Sequence, residues 1–390
     1  MQTPAKPRPH LLFTIGMLLI FLPVFFCLAM MRARWYGWLV TALSFLLLFW
    51  LRGKPFWQGW RIVLCVAGAY LIAFFGLYAS RPLWDVSLMA QVGSGAVRTF
   101  TRLPEKEQKL GTALLTDSGW TPPDGYELRA VRLSNSQLEL LLKTGSQSKH
   151  AVLQLHGGAF VSGMNDMYRQ FALKYSQLFS DCLVATLDYR LAPEYPYPCQ
   201  QNDTLDAWRY LTGTLGYAPS SVVVAGDSAG GNLALSLGLH LRDMGQPMPE
   251  GFVCMSPWAD LSNSGPSHYD NATIDPSFGI DEEDDHGQAV GVNTTYPDGL
   301  DATAPYLSPS FGDYAGFPPM LLQAGRIEVL LSDSQMVYDN AIANGVDCTL
   351  TVYKGMFHVF QGALDLVAES REAWAEVGRF LNRLPQVSAD

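Results

Sequence analysis

The first eighty residues contain no Asp and no Glu, against seven Lys and Arg. All thirty-six acidic residues follow, together with the other nineteen basic ones. An acidic body of this kind excludes nucleic acid as a partner, since it offers no basic surface to phosphates. The six cysteines lack C-x-x-C spacing. Cys27 and Cys65 fall in apolar stretches, and Cys182, Cys254 and Cys348 in expected core strands. Buried free thiols are therefore expected, with no disulfide framework and no metal site. No internal repeat is visible. The run Asp281 to His286 lacks the ligand spacing of a calcium loop and reads as a solvated acidic loop. Asn271-Ala272-Thr273 and Asn293-Thr294-Thr295 match the glycosylation acceptor, a pattern too common to carry weight.

Charge is also missing from three long apolar runs. Leu11 to Met31 is long enough to span a bilayer as a helix. Lys6 and Arg8 make a signal peptide the competing reading. The run exceeds a usual signal core, however, and no small-residue cleavage site follows it. Trp35 to Leu51 is short for a span but carries aromatics near both ends, as membrane interfaces favour. It also reads as a re-entrant or interfacial segment. Ile62 to Tyr78 is the third run. Residues 1–80 are thus expected as a membrane region with candidate spans 11–31, 35–51 and 62–78, in contact with the lipid bilayer. Positive-inside counting sets Lys6, Arg8, Arg52, Lys54 and Arg61 in the cytoplasm, against Arg32 and Arg34 outside. The body then lies outside the cytoplasm, and loss of one span would reverse it. No charge inside the runs marks a transport path.

Beyond residue 125 the pattern alternates. Strands are expected at Tyr126 to Leu133, Leu138 to Lys143, Ala151 to Leu155, Cys182 to Leu187, Ser221 to Ala225, Gly251 to Met255, Met320 to Ala324 and Cys348 to Tyr353. Helices are expected at Tyr168 to Phe179, Ala229 to Leu241, Ser332 to Ala343 and Leu364 to Leu384. This rhythm predicts an α/β fold with a mostly parallel sheet covered on both faces.

At the centre lies Gly226-Asp227-Ser228-Ala229-Gly230, between an apolar strand and a helix. A serine at the apex of so sharp a turn is a nucleophile elbow. The helix behind it offers free N–H groups and a positive dipole end to developing negative charge. Upstream, Leu153 to Leu155 runs into His156-Gly157-Gly158, bare backbone of the kind an oxyanion hole uses. Glu328 follows the strand at Met320 to Ala324, and His358 follows the last strand. The order Ser, acid, His is that of the α/β-hydrolases.

HGGAF at 156–160, DYRLAPE at 188–194 and GDSAGGN at 226–232 together resemble the hormone-sensitive-lipase family of α/β-hydrolases, which includes bacterial esterases and arylacetamide deacetylases. The resemblance covers roughly Leu153 to the C-terminus. It implies an α/β-hydrolase fold with a cap, preceded here by transmembrane helices. Residues 81–125 would form a linker or cap segment. Residues 126–390 would be the catalytic domain, with a cap insert at about 258–317. Ser228 would be the nucleophile, His358 the base and Glu328 the acid, where the family usually has Asp. Gly157, Gly158 and Ala229 would be the oxyanion donors, with His156 shaping their loop. Asp333 is the rival acid, but it opens a helix, where first-turn N–H groups would satisfy it. Asp188, Arg190 and Glu194 are expected as an ion-paired support for the oxyanion loop, and Asp227 as orienting at most.

The reading is a membrane-anchored serine carboxylesterase, working without cofactor on small-molecule esters of short or medium acyl chain. A deacetylase or amidase is a variant of the same chemistry. A non-catalytic ligand-binding relative is the alternative from another class, and the filled triad argues against it.

Overall fold

A computed structural model describes residues 9–51, 60–104, 106–108, 119–292, 294, 296–297 and 299–384, with the side chains of 9–14 and 60 excepted. Lys6, Arg8, Arg52 and Lys54, part of the 81–125 segment, and Asn293 and Thr295 of the second glycosylation pattern lie outside the described residues. The chain divides into two compact units, Met1–Phe100 and Thr101–Asp390.

The first unit holds α1 (Pro9–Met30), α2 (Trp35–Leu51), α3 (Trp60–Ala79) and α4 (Leu88–Thr101). Its boundary falls near residue 100 instead of 80, so α4 belongs mostly with the apolar helices. Small residues let α2 and α3 approach: a Cβ on Gly76 would stand 2.7 Å from Val40, and one on Gly37 would meet Ser80. Phe21 packs edge-on against Phe45 and Tyr70. Outward, the unit exposes large apolar side chains, Leu19, Val63 and Phe75 each by more than 60%. Among the described residues, one helix, Arg61–Ala79, is long and apolar enough to cross a membrane. The stretches Ile15–Met30 and Trp35–Leu51 are apolar but shorter.

The second unit is built on eight strands: β1 (Tyr126–Arg132), β2 (Gln137–Lys143), β3 (Ala151–Leu155), β4 (Leu183–Asp188), β5 (Val222–Asp227), β6 (Gly251–Met255), β7 (Met320–Gly325) and β8 (Cys348–Tyr353). Their order is β1-β2-β4-β3-β5-β6-β7-β8. β2 is antiparallel to both its neighbours, and β4 through β8 run parallel. The central strands β3, β5, β6 and β7 are buried throughout, because helices cover both faces. α6 (Cys199–Arg209), α7 (Ala229–Asp243) and α8 (Leu331–Ala343) enclose one core around Leu233, Phe252 and Val337. α5 (Asp166–Leu178) and α9 (Ala368–Arg383) enclose the other, around Phe171, Tyr175 and Trp374. The carboxyl ends of the parallel strands therefore share one edge, where an open α/β sheet gathers its reactive groups.

Two expectations shift. The last helix starts at Ala368 and not at Leu364, because Leu364 takes φ 48° and breaks the helical path. α6 was not expected: its buried face mixes polar Gln200, Gln201, Asp203 and Thr204 with apolar Ala207 and Trp208, so the apolar stripe is weak.

Candidate active site

Ser228 stands between β5 and α7 with φ 53° and ψ −122°. An L-residue held there costs about 1–3 kcal/mol and persists only when its surroundings impose it. They do. The Ser228 N–H donates to Met255 O at 3.0 Å, and its carbonyl accepts from Trp258 N at 3.0 Å and Asn232 N at 3.1 Å. Gly230 lets the turn close, since a Cβ there would stand 2.0 Å from Leu155 O. Among the described residues, Ser228 Oγ has no hydrogen-bond partner from the protein.

The loop after β3 meets this turn directly. A Cβ on Gly157 would come within 3.0 Å of Ser228 Cβ and 2.4 Å of Asp227 Oδ2. His156 is wholly buried, its ring stacked on Tyr189 at 4.0 Å. Burial pulls its pKa down to about 4, so the ring is neutral. Its Nδ1 donates to Gly157 O at 2.7 Å, and Tyr189 Oη donates to His156 O at 2.8 Å. His156 thus shapes the loop from behind. Gly158, at φ 112°, continues the turn, and its carbonyl accepts from Val161 and Ser162.

Asp227 is buried beside the nucleophile. Burial pushes its carboxyl up to about 7, against the opposing pull of His358, the Gly157 N–H and the Tyr168 hydroxyl. The three expected oxyanion donors sit on the loop after β3 and at the start of α7. Among the described residues Gly158 N–H has no protein acceptor, and Ala229 opens α7, where first-turn N–H groups lack intrahelical partners.

Glu328 and His358 come together from the ends of β7 and β8. His358 Nδ1 lies 2.9 Å from Glu328 Oε2. Glu328 is fully buried, and its Oε1 accepts from Ser256 Oγ at 2.9 Å and from the Gly325 N–H. Ser256 Oγ in turn accepts from Val359 N at 3.2 Å, next to His358. Asn271 Nδ2 donates to the carbonyls of Glu328 (2.8 Å) and Arg326 (3.2 Å), so this side chain is structurally committed. Phe278 lies against His358 with ring centroids 4.8 Å apart. No sequence motif pointed to Ser256 or Phe278. Each is a single residue made relevant by the fold.

Asp333 has other partners than expected. Its carboxylate does not cap its own helix. Oδ2 accepts from Ala259 N (2.9 Å) and Asp260 N (2.8 Å), and Oδ1 meets His268 Nε2 at 3.0 Å. The 188–194 segment also differs. Arg190 pairs with Asp203 of α6 at 2.7 Å, instead of with Asp188 or Glu194. The oxyanion loop is held by Tyr189 Oη and by Ala192 N, which donates to Phe160 O at 2.8 Å. In the acidic run, Asp281 pairs with Arg102 at 2.9 Å.

Comparison with known proteins identifies the fold and its family. A family model described as "alpha/beta hydrolase fold" matches residues 152–362. An acetyl-hydrolase of Streptomyces hygroscopicus is 34% identical over 240 residues, covering 62% of this chain and 78% of its own length. An esterase of Acinetobacter venetianus is 31% identical over 258 residues, covering 66% of this chain and 82% of its own. A solved esterase from the bacterial hormone-sensitive lipase family superposes with a TM-score of 0.67 at 33% identity, over 76% of this chain and 98% of that one.

Proposed function

The chain belongs to the hormone-sensitive-lipase family of α/β-hydrolases and is an esterase of that family; from that premise we propose that it cleaves short- or medium-chain carboxylic esters through an acyl-enzyme on Ser228. His358 takes the Ser228 proton as Oγ attacks the carbonyl carbon. Glu328 holds the imidazole by Nδ1, fixing its tautomer and stabilising the imidazolium. The N–H groups of Gly158 and Ala229 receive the oxyanion. Gly157 N–H, from the same loop as Gly158, is the third donor. His358 then protonates the leaving alkoxide, and water releases the acid by the same steps in reverse order. No cofactor takes part in this scheme.

One observation carries the reading: a buried, doubly hydrogen-bonded Glu328 presents its second oxygen to His358, whose Nε2 has no protein partner among the described residues. The test is hydrolysis of p-nitrophenyl acetate, butyrate and octanoate, an arylamide and a triglyceride emulsion, by wild type and Ser228→Ala. Soluble short esters should be the preferred substrates, and the variant should be folded and inactive. Ordinary turnover by Ser228→Ala overturns the mechanism. A preference for the emulsion or the arylamide overturns the substrate class.

The proposal includes membrane anchoring through residues 1–80, with the catalytic unit outside the cytoplasm. Its support is the acid-free composition and the outward apolar side chains of α1 to α3. A helix needs about 20 apolar residues to cross a bilayer, a length that Arg61–Ala79 approaches. Alkaline carbonate should leave the protein in the membrane pellet, and its release would overturn anchoring. Protease added to intact cells should cut the 281–285 loop, and protection there would reverse the sidedness.

A further inference from the structure

Phe278 lies in the segment after the short helix Ser267–Asp270, and it is half-buried with its ring inclined 60° to His358 at 4.8 Å. Its place is enforced from below. Asp275, with no exposed surface, accepts from Ser277 N (2.6 Å) and Phe278 N (3.2 Å) through Oδ1, and from Val329 N (2.7 Å) through Oδ2. One carboxylate therefore ties the turn carrying Phe278 to the residue that follows Glu328. Further bonds hold the same segment: Ile280 N donates to Ala272 O at 2.8 Å, and Thr101 Oγ1 to Pro276 O at 2.7 Å. The ring and the imidazole are parts of one rigid assembly.

This inference rests on the esterase reading above. In acylation the bond from Ser228 Oγ to the carbonyl carbon forms and the bond to the alcohol oxygen breaks. The proton taken up by His358 passes to that leaving oxygen. The alcohol must therefore stand beside the imidazole, where the Phe278 ring already occupies space. In deacylation the alcohol has gone, water takes its place, and the acyl group lies elsewhere. We propose that Phe278 is a specificity-determining residue for the alcohol side of the ester, and that Asp275 is the positioning residue that holds it. Bulk in the alcohol is limited by the ring, and the acyl chain is not.

The test uses the full-length protein and two ester series. Phenyl, 4-tert-butylphenyl and 1-naphthyl butyrate vary alcohol bulk at similar leaving-group basicity. The p-nitrophenyl acetate, butyrate and octanoate series varies the acyl chain. Phe278→Ala should raise kcat/KM for the bulky aryl butyrates relative to phenyl butyrate by about 10-fold, with acyl-series ratios moved by less than about twofold. Phe278→Leu, which keeps an apolar filler, should move the same ratio part of the way. Asp275→Asn, which keeps the shape and weakens the acceptor, should shift it in the same direction. Unmoved alcohol ratios in active Phe278 variants overturn the inference, as does a larger change in the acyl series. Wild type that cleaves none of these esters would instead sink the esterase reading itself.

Discussion

His358 and His268 each meet a carboxylate at hydrogen-bond distance, 2.9 Å to Glu328 and 3.0 Å to Asp333. Residue types and distances are nearly the same, and both carboxylates are fully buried. The two pairs differ in what remains unused. His268 is wholly buried and spends both ring nitrogens, Nδ1 on Val290 O at 2.7 Å and Nε2 on Asp333. Asp333 spends its other oxygen on two backbone N–H groups of the loop after β6. That pair is a closed fastening between the loop, the short helix and α8. Among the described residues His358 spends only Nδ1 and keeps Nε2 without a protein partner, and it retains 9% side-chain exposure. A base needs one nitrogen held and the other available to the reacting proton. The available nitrogen separates a catalytic arrangement from a structural one, and a histidine–carboxylate contact by itself does not.

The comparison breaks most directly by neutralising each acid. Glu328→Gln should lower kcat by about 10⁴-fold in a folded protein, the scale of losing the orienting carboxylate of a serine hydrolase triad. Asp333→Asn should cost about 1–3 kcal/mol of stability, because it disturbs buried acceptors, and leave turnover by the folded fraction largely intact. Ester hydrolysis normalised to folded protein, beside a denaturant midpoint, reads both. A folded but inactive Asp333→Asn with an active Glu328→Gln would exchange the roles of the two pairs.

Glu328 was legible because it follows a buried parallel strand, and such strands read as continuous apolar runs. Ala151–Leu155 and Gly251–Met255 fall where the sequence predicts them for that reason, whereas the edge strand Cys348–Tyr353 is only partly buried and shows through its Thr, Val and Tyr residues. The elbow was legible because glycine and serine at fixed offsets answer a steric demand. α6 was not, since much of its buried face is polar and satisfied by hydrogen bonds, beside apolar Ala207 and Trp208: Gln200 Nε2 donates to Arg190 O at 2.8 Å, and Asp203 takes the Arg190 guanidinium. Periodicity registers apolar burial alone. His268, Ser256 and Asp275 were invisible for a related reason. Their partners lie 65, 72 and 54 residues away in sequence, and no local pattern marks them.

A smaller perturbation sharpens the contrast without touching either pair. Ser256 donates to Glu328 Oε1 and accepts from Val359 N, so it fastens the acid to the strand end that carries His358. A hydrogen bond to a charged group is worth about 1.5–3 kcal/mol. Ser256→Ala should therefore lower kcat by roughly 10- to 100-fold with KM nearly unchanged, since no substrate contact is removed. Steady-state kinetics on one soluble ester measures this. Activity within about twofold of wild type would mean that the Gly325 N–H alone holds the carboxylate, and that the catalytic pair is no better braced than an ordinary buried contact.

The smallest effect is a matter of sign. Burial works against a charged His268, but the Asp333 carboxylate and then the Val290 carbonyl outweigh it, so its pKa stands above the ordinary value. A histidine whose folded pKa is raised binds its proton more tightly in the folded state. Its stabilisation is fully present below the unfolded pKa, about 6.5, and is lost as pH rises through the folded value. Denaturation midpoints of wild type and His268→Gln should therefore differ most at the acid end of a series from about pH 5 to about pH 9, and converge toward the alkaline end. A wild-type protein whose margin over His268→Gln widens with rising pH would show His268 to be neutral in the fold. The Asp333 contact would then be an ordinary hydrogen bond to an uncharged ring, and the two pairs would differ in accessibility alone.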